Sequence, residues 1–536
     1  MRMPPLHRLA IGLLLTGLAL RLWIAWAPFD PWQLSYGPLV DDSFYYFQIA
    51  KNIALGLGPT HDGIVVTSGF QPLWAFMLVP LWQLTDDPVL PIHVAMTFCA
   101  VLGTVTGWGI WWLVRHLAGE VGAVFALGLW CLSPYVLQHT MNGMETGLAA
   151  CLLVWTALYY STQIRPGSAG TRAWATFGVL GGLCYLARVD NAIFLAALGL
   201  DGVLRLGPRN ALRGGSLAAV LAVVISSPWI LWCWSLGSAL PESGPAIRQL
   251  SQLYATLSAY SAHAFGSLWF CFDNLVILGR HVLSQPLVPL PALPVGYVLQ
   301  EWMPGTAATW VTIATYAVLF GLVHFGPWRS VLRPGRFPSF LCVWAGLLLL
   351  AYATAVPGQW FYDRYTFGLT TFGLVLAGVV VHGIHETLGR RAFTTYMTVS
   401  LLAITGAFAH QSVRVFGTTG GKNVVGYYDL ARVLRESPEF PEPIAVIQSG
   451  VVGYFAQKKF IALDGKVNSE AARALRERKL FTYLESQSAR FVVDSYPWLV
   501  ELLLRECSQN EARPALRQGP LEFEGNPVGL GVFIQR

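Results

Sequence analysis

Apolar runs near the roughly 20 residues that a helix needs to cross a bilayer recur from Leu9 to about Gln411. Read as spans, they fall at 9–27, 90–114, 119–138, 145–163, 173–188, 190–204, 215–236, 307–325, 338–356, 365–386 and 393–411. Two stretches resist the pattern. Pro72 to Leu84 is apolar but only about 13 residues, roughly 20 Å as a helix, and reads as a re-entrant or interfacial element. The 173–204 stretch gives two spans of only about 15 residues each, with one long tilted helix as the alternative.

Past residue 411 the pattern changes to short apolar runs between charged segments. Tyr427 to Arg435 reads as helix, Ile444 to Ile447 as a buried strand, and Gly450 to Phe455 as a turn into helix. Lys459 to Leu463 reads as strand, Ser469 to Leu484 as helical, and Ala489 to Val493 as strand. Leu499 to Cys507 is a further helix and Val532 to Ile534 a last strand. Such alternation predicts a small α/β layer domain. The expected organisation is therefore a membrane domain over 1–411, with long outer loops at 28–89 and 237–306, and a soluble domain over 412–536.

Composition agrees. The 536 residues are 54% hydrophobic and 12% charged, and the mean hydropathy is +0.51; this excludes an ordinary soluble globular chain. The formal charge of +6 is mostly arginine between spans, which bears on membrane orientation rather than on nucleic acid. Seven of the eight cysteines lie in or beside apolar segments, and neither CxxC nor CxxH spacing occurs, so a disulfide framework or zinc site is not indicated. The N-terminal apolar run has no A-x-A site after it and reads as a retained first span rather than a cleaved signal.

Charge then fixes the expected orientation. Arg2 and Arg8, Arg165 and Arg172, the Arg205–Arg213 group, the Arg329–Arg336 group and Arg390-Arg391 all fall on one side if there are eleven spans. The positive-inside rule makes that side cytoplasmic. The N-terminus is then inside and the C-terminal domain outside, as in a multi-pass protein of a bacterial-type cytoplasmic (inner) membrane.

The outer connections collect the unusual residues. Asp41-Asp42 opens an amphipathic helix that carries Tyr45, and Gln71 follows in the same loop. Asn142 and Glu145, Arg188 and Asp190, Ser243 and Arg248, and Asp363-Arg364 occupy the later outer connections. Carboxylates with arginines at one membrane edge suit group transfer from a phosphate-linked donor. A carboxylate accepts the proton of an attacking hydroxyl, and arginines neutralise a leaving phosphate. A nucleotide donor is disfavoured outside the cell, and no Gly-x-x-x-x-Gly-Lys-[Ser/Thr] loop is present. Each residue also has a simpler role. Asp41 suits an N-cap and Asp42 the first turn beside the helix dipole. Glu145 also suits a cap, Arg188–Asp190 and Asp363–Arg364 suit structural ion pairs, and Arg248 suits a snorkelling cation.

Several blocks resemble those of a known family. Asp41-Asp42-Ser43-Phe44-Tyr45-Tyr46 and Gly69-Phe70-Gln71-Pro72-Leu73-Trp74 look like the first outer loop of GT-C glycosyltransferases. The bacterial arabinofuranosyltransferase-like and protein-mannosyltransferase-like proteins are the nearest subset. Asn142-Gly143-Met144-Glu145-Thr146, Leu186-Ala187-Arg188-Val189-Asp190, Leu240-Pro241-Glu242-Ser243-Gly244 and Phe361-Tyr362-Asp363-Arg364-Tyr365 look like recurring blocks of that family. So do Ile447 to Phe455 and Leu463-Asp464-Gly465-Lys466-Val467-Asn468 in the tail.

The resemblance implies a GT-C-like fold and an inverting transfer from a polyprenyl-phosphate sugar to a hydroxyl of a glycan or glycolipid acceptor. An aspartate of the first loop is the family's usual base, a role that carries onto Asp41 or Asp42 without separating them. Arg188, Arg248 and Arg364 are the expected donor-phosphate ligands. Glu145, Asp190, Asn142, Tyr45, Gln71, Ser243 and Asp363 are the expected sugar or acceptor contacts. No cofactor is required, and a divalent metal is left open. The first loop lacks the Asp-Glu form of protein O-mannosyltransferases, which disfavours a protein acceptor. The competing class is a membrane transporter, a flippase or an O-antigen-ligase-like protein of envelope polysaccharide handling. It would place ionisable residues at the midplane.

Overall fold

The computed structural model describes residues 5–27, 37–238, 240–255, 271, 274, 275, 278, 340–354, 362–416, 422–512, 514–523 and 525–535. The expected span 307–325, the Arg329–Arg336 group and most of the long loop 237–306 lie outside these residues.

Five of the described helices are long and apolar enough to cross a membrane: Leu6–Trp26, Leu90–Leu117, Thr146–Ile164, Pro208–Ser235 and Phe367–Thr387. A sixth span results if Glu120–Leu132 and Pro134–Thr140, bent by 64° at their junction, are one broken element. Proline explains that break, because it has no N–H to give the preceding turn. Ser133 at the corner accepts from the Val136 N–H instead. The count of eleven is thus not reached among the described residues.

The other expected spans form shorter or more polar helices. Thr171–Ala187 and Asn191–Leu206 have 17 and 16 residues and are separate, because Arg188 between them is extended at φ −156° and ψ 126°. A single tilted helix is therefore ruled out for this region. Phe340–Thr354 has 15 residues. Arg390–Phe416 is 27 residues long, and its threonines and serines dilute its apolar character. Pro72–Gln83 is a 12-residue helix, too short to span.

Arg21 lies inside the first membrane helix, Leu6–Trp26. It is fully buried, donating to the carbonyls of Gly17 at 3.1 Å and Trp130 at 3.2 Å. Gly103 leaves room for it, since a Cβ there would lie 2.6 Å from its Nε.

The C-terminal region contains a five-stranded sheet in the order β2-β1-β3-β5-β4. β1 (Ile444–Val446) runs parallel to both β2 (Phe460–Ala462) and β3 (Phe491–Asp494). β5 (Asn526–Gln535) pairs antiparallel with β3 and with β4 (Ala515–Phe523). Side chains of a strand alternate between its faces, so the sheet feeds two cores. Ala445, Ile461 and Val492 pack with Leu475, Leu484, Val500 and Leu503 from the helices that cover one face. Ile444, Val446, Phe460, Phe491 and Val493 join Tyr427, Leu430 and Leu434 on the other face. That second core continues into Phe44, Phe47, Trp74 and Trp82 of the first loop. The first loop and the C-terminal sheet therefore share one hydrophobic core, and its boundary is where the polar residues meet.

Candidate active site

The helix Asp41–Ala54 begins at the junction between the membrane helices and the C-terminal sheet. Val40 is its N-cap and no side chain caps it, so the capping role expected of Asp41 is absent. Instead the two aspartates diverge. Asp41 is buried, and its Oδ1 accepts the Val451 N–H at 2.8 Å. Val451 lies at the start of the helix Gly450–Phe455 that follows β1. Parallel sheets commonly bind anions at this place, beyond the carboxyl ends of their strands. Here a carboxylate of the first loop occupies it. The other oxygen, Oδ2, is buried with no hydrogen-bond partner. Burial pushes the Asp41 carboxyl up to about 7, opposed by the Val451 bond and helped by the charge of Asp42.

Asp42 faces the other way and keeps partial exposure. Its Oδ2 accepts from Arg364 Nη1 at 2.8 Å and its Oδ1 from Lys466 Nζ at 3.1 Å. Burial alone would raise its carboxyl, but the charges of Lys466 and Arg364 outweigh that and hold it well below the usual carboxylate range. Lys466 comes from the loop after β2, where Gly465 takes the left-handed φ of +74° that favours glycine. The Lys466 ammonium also lies 3.4 Å from Asp464 Oδ2 and over the Tyr45 ring at 5.4 Å.

A second ionic group adjoins the first. Arg188 donates to Glu145 Oε1 at 2.7 Å and, through Nε and Nη2, to the two oxygens of Asp190 at 3.0 and 2.9 Å. The Tyr352 hydroxyl also donates to Asp190. Glu145 is buried, and its Oε2 has no hydrogen-bond partner. The ring of Tyr365 links the two groups. The guanidinium carbons of Arg188 and Arg364 each lie 5.3 Å from its centroid, and Tyr352 stacks on it at 5.0 Å. Gln71 Oε1 accepts the Val189 N–H at 3.2 Å, tying the first loop to the Arg188 turn. Beneath them lies a cavity of about 20 Å³ lined by Arg188, Asp190, Asn191, Arg364 and Tyr365 above Trp344 and Leu348. A cavity of that size holds a water rather than a sugar.

The structure thus gathers Asp42, Arg364, Glu145, Arg188, Asp190 and Gln71 of the expected residues. Asn142 stands one turn away, its Oδ1 accepting from the Met144 N–H at 3.0 Å. Tyr45 sits in the seam with the sheet, its hydroxyl donating to Asp464 at 2.7 Å. Asp363 accepts the Tyr135 hydroxyl on its backbone oxygen at 3.3 Å, and the neighbouring Arg364 pairs with Asp42. Ser243 starts the helix Ser243–Ala255, on which Arg248 is exposed. The preceding Glu242 accepts from the Thr67 hydroxyl at 2.8 Å.

Sequence reasoning missed the role of Lys466. The Leu463–Asn468 block was visible, but nothing in the chain pointed its lysine at a residue more than 400 positions earlier. Of the histidines, His61 bonds Ser449 Oγ at 3.0 Å, and burial lowers it to about 3, so it stays neutral at the seam. Among the described residues no cluster of three or more His, Cys, Asp or Glu is placed to hold a metal ion.

Residues 72–232 match the family model described as dolichyl-phosphate-mannose-protein mannosyltransferase. The structure is similar to ArnT from Cupriavidus metallidurans in the apo state, with a TM-score of 0.53 and 13% identity over 98% of each chain. It is also similar to the Archaeoglobus fulgidus oligosaccharyltransferase in the apo form, with a TM-score of 0.51 and 15% identity over 93% of this chain and 71% of that one. The same enzyme tethered to an acceptor peptide with an NVT sequon matches at a TM-score of 0.51 and 14% identity, over 93% and 70%. No curated protein matches the chain. The segment match and the whole-chain fold agree on one class, the GT-C membrane glycosyltransferase. The sequence match covers residues 72–232.

Proposed function

We propose that this chain moves a sugar from a polyprenyl-phosphate donor to a hydroxyl of a glycan or glycolipid, at the outer face of the cytoplasmic membrane. The observation that carries the reading is Asp42, a partly exposed carboxylate at the head of the bundle held between Arg364 and Lys466. In the proposed reaction Asp42 accepts the proton of the acceptor hydroxyl. That oxygen bonds to the anomeric carbon on the face opposite the phosphate. The bond from that carbon to the phosphate oxygen breaks, its electron pair leaves with the lipid phosphate, and the configuration inverts. Arg364 neutralises the leaving phosphate. Glu145 and Asp190, oriented by Arg188, accept hydroxyls of the sugar or acceptor, with Gln71 and Asn142 shaping the turns that present them.

The outward orientation rests on the arginine distribution, and the lipid-linked donor on the site's position at the end of the apolar helices. The test is to incubate purified protein with a panel of polyprenyl-phosphate sugars and acceptor glycolipids, measuring released lipid phosphate. Release that requires acceptor and disappears in Asp42→Asn is expected. A protein that releases none with any donor, yet moves lipid between leaflets of a proteoliposome, would be a transporter instead.

A further inference from the structure

Asp42, Asp464, Lys466 and Arg364 form a connected group of two anions and two cations. A carboxylate gripped by two cations is a weak proton acceptor, because each cation stabilises its charged form. The proposed function, on which this inference rests, asks that same carboxylate to take a proton. Something must therefore loosen the grip when substrate is present.

The cations of the site differ in how they are held. Arg188 is held by three oxygens of Glu145 and Asp190. Lys466 and Arg364 each contact Asp42 and are also anchored elsewhere. For Lys466 an anchor is Asp464 at 3.4 Å, and for Arg364 the Tyr365 ring at 5.3 Å and Met144 Sδ at 2.8 Å. Each can swing off Asp42 while its anchor stays. A lysine is suited to such a move, since its ammonium is a point charge on a flexible stem. Lys466 also sits on a loop whose backbone is fixed by its own N–H, bonded to Asp464 Oδ1 at 2.9 Å, so only the side chain need travel.

We infer that Lys466 and Arg364 are exchange cations: the phosphate of the lipid donor draws them off Asp42, so that donor binding itself frees the base. Charge balance supports the exchange. The two cations are matched by Asp42 and Asp464 before binding. A donor phosphodiester adds one negative charge; as the hydroxyl proton moves to Asp42, the electron pair of the broken bond leaves the released lipid phosphate a dianion, which the two freed cations offset. The base is held back until donor is in place, which protects the site from idle proton uptake. Lys466 is in this sense a donor-phosphate ligand supplied by the loop after β2, while Arg188 stays with Glu145 and Asp190.

The exchange makes a prediction that a purely structural lysine would not. Asp42 and the lipid phosphate compete for the same cations, so removing the charge of Asp42 tightens lipid-phosphate binding while removing its function as base. The experiment measures binding of a polyprenyl monophosphate to detergent-solubilised full-length protein and to Asp42→Asn, Lys466→Met and Lys466→Arg. Asp42→Asn should bind about tenfold more tightly, the worth of one charge-assisted contact. Lys466→Met should bind about tenfold more weakly, and Lys466→Arg should recover most of that loss. Asp42→Asn binding no tighter than the native chain, or Lys466→Met binding equally well, overturns the exchange while leaving the glycosyltransferase reading intact. A native chain that binds no polyprenyl phosphate overturns both. Asp42→Asn keeps the shape of the side chain and carries the test alone if Lys466→Met does not fold.

Discussion

Asp41 and Asp42 are neighbours whose carboxylates serve opposite sides of one junction. Asp41 Oδ1 takes the Val451 N–H at 2.8 Å beneath the C-terminal sheet, whereas Asp42 Oδ2 takes Arg364 Nη1 at 2.8 Å above the membrane helices. Access decides their proposed roles. The Asp41 carboxyl, near 7, has the better matched proton affinity, but it is enclosed by the C-terminal sheet. Asp42→Asn should lower the transfer rate by about a hundredfold or more, the usual worth of a general base. Asp41→Asn should lower it by less than about tenfold. Rates measured with excess donor, on protein that melts normally, check this; the reverse ranking would move the base to Asp41.

The same contrast sets a pH dependence. Burial raises Asp41 to about 7 in the folded chain, against about 3.9 for a free carboxyl. Between those values the folded state holds more protons than the unfolded one, so stability falls as pH rises. The contribution is complete below about 4 and spent above about 7. The thermal midpoint of the native chain should therefore drop between pH 5 and 8, and Asp41→Asn should flatten that slope. Asp494, also raised to about 7 by burial and only partly relieved by bonds from the Tyr496 and Gln448 N–H groups, leaves a residual slope in the variant. Equal slopes for the two proteins would refute the assignment.

Arg188 is the test of what holds the second ionic group. Its removal would leave the buried Glu145 and the partly exposed Asp190 without their cation. Breaking a buried pair from one side typically costs about 3–5 kcal/mol. Arg188→Ala should therefore unfold or melt well below the native chain. Arg188→Lys should retain the fold with partial loss, because an ammonium cannot match the two-pronged grip on Asp190. Thermal melts in a single detergent separate the three proteins, and an unchanged Arg188→Ala would show that this ion group does not hold the fold.

Local signals were legible in the chain and long-range pairings were not. The alternation after residue 411 located the helix at Lys422–Glu436, β1, β2, β3 and the helix Pro497–Glu506 to within a few residues. It missed β4, whose residues are mostly exposed and so lack an apolar run. The break at Arg188 was visible because a charge pair interrupts an apolar stretch. The partners of Arg364 were not, because the adjacent Asp363 looked like a sufficient counter-ion while the fold supplied Asp42. Lys466 illustrates the same limit, since contact across a domain seam leaves no periodicity in either segment.

Two glycines at that seam allow its role to be tested without touching a charge. A Cβ on Gly69 would lie 1.8 Å from the carbonyl oxygen of Lys466, and one on Gly450 would lie 2.1 Å from that of Asp41. Both obstacles are backbone, which cannot rotate away. Gly69→Ala and Gly450→Ala should therefore pry the C-terminal sheet from the first loop, one beside Lys466 and the other beside Asp41. A Cβ on Gly519 of β4, by contrast, meets nothing within 4 Å, so Gly519→Ala is the control. If the sheet supplies a working part of the site, the two seam variants should lose transfer activity and expose the C-terminal region to limited proteolysis, and the control should do neither. Variants that are cleaved readily yet transfer at the native rate would mean that the C-terminal region only covers the site, and the part given to Lys466 would fall with that result.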